Sequence, residues 1–354
     1  MMWYAKSAGD WFAANAWNSA SDGSGDNATA PLPAADIADL NGKAMTTTNG
    51  ATITQSLVQA TTGTLTPTGT LVINGPVTYS GTATTGMVIV GTGASLAVNG
   101  KVSANTAGYA IVQSGSGTVT VNNGTGDALV TTIGRALSAS GSGATHITGN
   151  LWCGTGYAWY QSSLSTAHTW TGNAFLTNWG SALYGVTSNG AVLTWTPAAV
   201  GPNLNTSFNG GSCILWQHGR LVINGPFTTA RTSSGPLLLM IGGNVDWCGN
   251  MALTTGANCE IFLIAGALNL VLQSSPYTPL VLTNSGNLVI NCSSGTLNTT
   301  GNSGAVKAEI NCQSGGHAVL LYATEAQKGI ITYPSSGPII RRVLRGSVIG
   351  GLLR

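Results

Sequence analysis

The sequence predicts an all-β chain, a parallel β-helix with coils of about 23 residues, and three observations predict it. Of 354 residues 50 are Gly, and only 6% are charged, where an ordinary soluble domain carries about 25%. Thr, Ser, Asn and Gly fill the space between short apolar runs; this is strand-and-turn chemistry, with the charged helix formers Glu, Lys and Arg scarce. The hexapeptide Leu71-Val72-Ile73-Asn74-Gly75-Pro76 returns as Leu221-Val222-Ile223-Asn224-Gly225-Pro226, with looser copies between and after.

The repeat is marked by an apolar residue followed by Asn, Thr or Cys and often Gly. Marks fall at 53, 73, 98, 121, 147, 170, 195, 223, 247, 270, 290, 310 and 330, close enough to even spacing to define one period. Most repeats carry a second apolar run before the mark, as in Met87-Val88-Ile89-Val90 and Ile261-Phe262-Leu263-Ile264. Two or three short strands per coil, separated by Gly turns, are what a stacked solenoid requires. A hairpin sandwich also has short strands and Gly turns, but it gives no reason for a phase kept over 12 steps. Asn after the mark suits a turn and can bond its stacked neighbour. On this reading residues 51–335 form 12 to 13 coils, between a capping segment at 1–50 and a tail or last coil at 336–354.

A solenoid must protect its end strands. Residues 1–50 hold Trp3, Trp11 and Trp17 and five of the ten acids, and are read as a Trp-rich cap. Gly9-Asp10-Trp11, Ala16-Trp17-Asn18, a Gly/Ser loop, Pro33-Ala34-Ala35-Asp36 and Asn41-Gly42-Lys43 lie in this segment. That series resembles the segment that opens parallel β-helix proteins of bacteriophage virions (fibres, spikes and capsid-surface proteins) and of bacterial surfaces. The resemblance is architectural. It implies a non-enzymatic structural protein that forms or decorates a particle surface or appendage, made in the host cytoplasm and assembled into the virion. The implied partners are other virion proteins and further copies of the chain, with a trimer favoured.

At the other end no acid follows Glu325, while Lys328, Arg341, Arg342, Arg345 and Arg354 supply five of the twelve bases. Arg341, Arg342, Arg345 and Arg354 are read either as a docking tail or as charges that blunt a final edge. Met1-Met2-Trp3-Tyr4-Ala5-Lys6 lacks a basic stretch followed by an apolar one, so reduced thiols at assembly are expected. Cys292 and Cys312 are expected in one slot of adjacent coils.

Catalytic patterns are sparse. A sugar-cleaving β-helix needs carboxylates close together, about 5–9.5 Å apart for hydrolysis. Here Asp127 is the single acid between Asp39 and Asp246, and Asp246 and Glu309 are expected three coils apart. His146 and His168, one coil apart and each just before its mark, are read as a stacked, hydrogen-bonded pair, incomplete as a zinc site. No catalytic residue, cofactor or metal site is assigned. A net charge of +2 gives no field for nucleic acid, and no apolar run is long enough to span a bilayer.

Seven of the ten Trp lie within 152–247. Trp170, Trp195 and Trp247 share the inward slot, whereas Trp152, Trp159 and Tyr160 are candidates for the outer face, where they would meet a glycan or a partner, with ordinary packing as the alternative. The alternative function is therefore a receptor- or glycan-binding adhesin contacting host-surface sugars; a polysaccharide lyase or hydrolase is a third.

Overall fold

The computed structural model describes residues 1–81, 86–162 and 167–176, and from 181 to 349 a series of strands with a few adjoining residues. The chain is all-β, a parallel β-solenoid with its coils at roughly 24-residue spacing. Among the described residues no helix is long and apolar enough to cross a membrane. Two compact units divide the chain, Met1–Trp170 and Thr171–Arg354.

In the first unit each coil contributes three strands, for example Ser95–Val98, Val102–Ala104 and Tyr109–Gln113. Like strands of successive coils pair in parallel, giving three ladders. The first places Ile53, Ile73, Val98, Val121 and Ile147 in one column, the positions marked in the sequence. The second aligns Leu57, Val77, Val102, Leu129 and Leu151. The third aligns Met45, Leu65, Val88, Ile111, Leu137 and Trp159, so the second apolar run of each repeat is this wall. All these side chains are buried, and alternation explains why: period-two strands send every other residue inward. Each such aliphatic burial stabilises by about 1.5–3 kcal/mol. Outside, Asn99 Nδ2–H donates to Asn74 Oδ1 at 2.8 Å, the stacked Asn contact that the repeat predicts.

Residues 1–50, expected to lie outside the repeat, also supply ladder strands. Met2–Ala5 pairs in parallel with Ile37–Asp39, which pairs with Ser56–Gln59 of the second ladder. Gly9–Asp10 pairs with Ala44–Thr47 of the third. The apolar-Asn-Gly signal marks only the first ladder, which begins at Ala51–Ile53, so these earlier strands carry no mark. An antiparallel hairpin, Trp17–Asn18 with Asn27–Ala28, is inserted among them. Trp11 and Trp17 are buried edge to face, ring centroids 4.4 Å apart, and Trp17 Nε1–H donates to the Trp11 carbonyl. Asp36 accepts from the Trp3 indole at 2.8 Å.

In the second unit the first ladder keeps its marks through Trp195, Ile223, Trp247 and Leu270. The residue paired with Leu270 on the next coil is Thr299, and not Ile290. Ile290 stands in the third ladder between Ile261 and Leu320, and Ile310 pairs with Leu280. Cys292 and Cys312 are therefore not slot neighbours: Cys292 is in register with Leu263 and Tyr322, Cys312 with Leu282. The interval between the two Ile-Asn-Cys copies is shorter than the coil from Leu270 to Thr299, so the second copy lands on a different wall. Ile330 lies outside the described residues. Arg341 and Arg342 occupy a further third-ladder strand, in register with Leu320 and Leu321. Arg345 pairs with Val348 in an antiparallel turn-back, and Arg354 lies outside the described residues.

The glycine content has a steric cause at the corners. A Cβ on Gly117 would overlap the Ala94 carbonyl oxygen of the preceding coil, and one on Gly143 would overlap that of Gly117. At another corner Gly134 meets the Gly108 oxygen and Gly156 meets that of Gly134. Gly93, by contrast, has a φ of +76° and open space around it. Gly134→Ala is expected to lower stability by about 2–3 kcal/mol or more, because backbone must move. Gly93→Ala should cost only about 1–2 kcal/mol of backbone strain. Thermal melting of the two variants checks the order; equal shifts would remove corner sterics as the cause.

Candidate functional site

Two constellations stand out in the first unit, one inside the coils and one on their surface. The interior one is polar. Gln113 and Gln161 end third-ladder strands, while Thr145 and His168 take inward positions on Thr145–Cys153 and Ala167–Thr171; all four are buried. Thr145 Oγ1–H donates to Gln113 Oε1 at 3.1 Å, and Gln113 Nε2–H donates to the carbonyls of Gly117 and Ala144. The Thr145 backbone N–H donates to His168 Nδ1 at 3.2 Å, and His168 Nε2 lies 3.1 Å from the Gln161 amide. Trp159 Nε1–H donates to Gln161 Oε1 at 2.9 Å. Side chains of two ladders are thereby joined by hydrogen bonds that offset the burial of their polar atoms.

His168 is neutral in this setting. Burial comes first among the causes, followed by the charge of His146, and together they hold its pKa at about 4. The geometry agrees, since Nδ1 accepts from a backbone N–H and has no room for a proton of its own. His146 and His168 are not the stacked pair expected. His146 Nδ1 meets Thr169 Oγ1 at 2.8 Å on the outer side, and His168 points inward. The neighbour of His146 on the next coil is thus the residue after His168, and a slip of one along a strand changes the face. Cys153 is likewise buried, and burial pushes its thiol up to about 12.

Trp170 and Trp195 are fully buried as expected, each donating its indole N–H to a backbone oxygen, of Gly149 and Gly172 respectively. Trp247 holds the expected ladder position between Ile223 and Leu270. The outward trio divides. Trp159 is fully buried and belongs to the interior network, so it is removed from the surface candidates. Trp152 is half-buried, in register with Val130.

Tyr160 is half-buried and lies in the surface constellation. Arg135 is its centre, with its guanidinium carbon 3.6 Å from the Tyr160 ring centroid, 5.0 Å from that of Tyr109 and 5.7 Å from that of Tyr157. Tyr109, Arg135 and Tyr157 are in register on three successive coils, and Val112, Ser138 and Tyr160 form the neighbouring column. In each strand consecutive residues are buried: Ala110-Ile111, all four from Ala136 to Ala139, and Ala158-Trp159. That break in alternation leaves Tyr157 and Tyr160 half-exposed together, with ring centroids 5.9 Å apart. The sequence shows the Tyr residues and Arg135, but their meeting depends on coil lengths that periodicity gives only on average.

Among the described residues no group of three or more His, Cys, Asp and Glu side chains could hold a metal ion. Asp246 and Glu260 stand in different ladders, in register with Val222 and Pro236. The chain matches no protein-family model, no curated protein and no solved structure.

The His168 setting makes stability depend on pH. Its folded pKa of about 4 lies below the usual 6.5, so between those values the unfolded chain takes a proton that the folded chain refuses. The contribution is full above pH 6.5 and is lost as pH falls toward 4, about 3 kcal/mol in all. Melting temperatures across that range should fall more steeply for the native chain than for His168→Gln; parallel curves would contradict this account.

Proposed function

We propose that the chain is a non-enzymatic structural component of a phage virion, a β-solenoid that forms or decorates a particle surface or appendage. The reading rests chiefly on the stack itself: three in-register parallel ladders whose backbone groups are paired from coil to coil. Such a body holds its form without a large globular core and offers few charged loops to proteases. The opening segment's resemblance to phage β-helices supports the same reading.

Four carboxylates near the start of the chain also fit a scaffold better than a catalyst. Asp10 accepts from the Phe12 backbone N–H, Asp22 from Ser24, Asp36 from the Met1 ammonium and Trp3, and Asp39 from the Asn41 N–H. Each closes a turn or ties the first coils together. Faces of low charge suit mating between copies, so a homo-oligomer, a trimer favoured, is part of the proposal.

Immunogold electron microscopy of purified particles should place the chain on the head or tail surface, and sedimentation of the purified chain should give three times its 35.7 kDa mass. Host capsule incubated with it should release no reducing ends. Absence of the chain from particles, or sugar release, would overturn the reading.

A further inference from the structure

We propose that the Arg135 cluster is a binding site for a carboxylate-bearing glycan, such as a uronate- or sialate-containing saccharide. The inference does not depend on the virion reading. Arg135 is a half-exposed guanidinium on the outer side of the third ladder, flanked by three tyrosine rings. Among the described residues no carboxylate lies within ion-pair distance of it. Its planar fork of N–H donors matches a carboxylate bidentately, a geometry that an ammonium cannot reproduce.

The rings set the rest of the chemistry. Guanidinium stacked on Tyr160 is held in place at little further entropy cost, because its partner is anchored on a ladder strand. Ser138, between Val112 and Tyr160 in the neighbouring column, is short, so the Arg135 side chain can lean across it to the next coil. Tyr109 and Tyr157 stand one coil to either side of Arg135, about 10 Å apart in the stack. An aromatic face on each side of a cation provides apolar surface for the C–H face of a sugar ring and hydroxyls for its polar edge. The platform is rigid, since all three strands belong to one ladder.

Charge favours a sugar acid over the alternatives. Single-stranded nucleic acid needs a run of basic groups along its backbone, and here one cation stands among rings. A second copy of the chain would have to offer a carboxylate, and four of the ten acids, Asp10, Asp22, Asp36 and Asp39, already accept hydrogen bonds.

The test is calorimetric titration of the full chain with oligogalacturonate, a hyaluronan oligosaccharide and a sialylated oligosaccharide, each beside its carboxyl methyl ester. At least one acid should bind, with its ester weaker by about tenfold or more. Arg135→Gln should weaken binding by about tenfold, and Arg135→Lys, which keeps the charge and loses the fork, by at least about threefold. Tyr157→Ala should also weaken it. Arg135→Lys should melt at the native temperature, which separates binding from folding should Arg135→Gln fail to fold. Equal affinity for acid and ester, no binding by any of the three acids, native affinity in Arg135→Lys, or tighter binding of oligo-dT would each overturn the proposal.

Discussion

The spacing between hydrogen-bonded coils is the constraint on which the rest of this structure depends. Parallel strands of neighbouring coils sit about 4.8 Å apart, and every turn between strands must keep that distance. Where corners stack directly, as at Gly117 over Ala94 and Gly156 over Gly134, backbone meets backbone and no side chain fits between. Much of the glycine content and part of the scarcity of charge follow from this. Corners accept Gly, Ser and Thr, walls send alternate residues inward, and few places remain where a long charged side chain is useful.

The same stacking explains how polar residues survive inside. Each inward column is filled by one residue per coil, so a polar residue there meets neighbours above, below and across. Thr145 bonds the distant Gln113 and, through its backbone N–H, His168, which in turn lies against Gln161, itself bonded by Trp159. With Nδ1 accepting the Thr145 N–H, His168 stays neutral, which ties one buried side chain to the acid stability of the first unit. Inward aromatics obey the same rule, since the indoles of Trp170 and Trp195 each find a backbone oxygen.

On the outside, side-chain clusters depend on columns rather than on local sequence. Tyr109, Arg135 and Tyr157 are each a full coil apart along the chain, and nothing between them marks them as a set. Coil length brings them into register, and the paired burial of Ala158 and Trp159 turns Tyr157 and Tyr160 to the same side. A surface built this way can change its outward chemistry by single substitutions while the ladder beneath is preserved. That property suits a scaffold whose outer face meets other molecules.

From the sequence alone the β-solenoid, its approximate coil length and the inward column from Ile53 to Ile147 were legible, because period-two burial and a repeated apolar-Asn-Gly signal leave a direct trace. Trp170 and Trp195 could be assigned to the interior for the same reason. Only the tertiary structure decided which residues meet across coils, His146 with Thr169 instead of His168 and Cys292 in register with Leu263 instead of Cys312, and which face a residue takes, Trp159 bonding Gln161 inside rather than facing solvent. The physical reason is that coil length varies: the coil from Ile53 to Ile73 is far shorter than the one from Leu270 to Thr299. A single-position slip on a strand exchanges inside for outside, and a larger one moves a side chain to another wall. An average period determines the architecture, and only the exact register, set by how each coil packs on the last, determines the contacts.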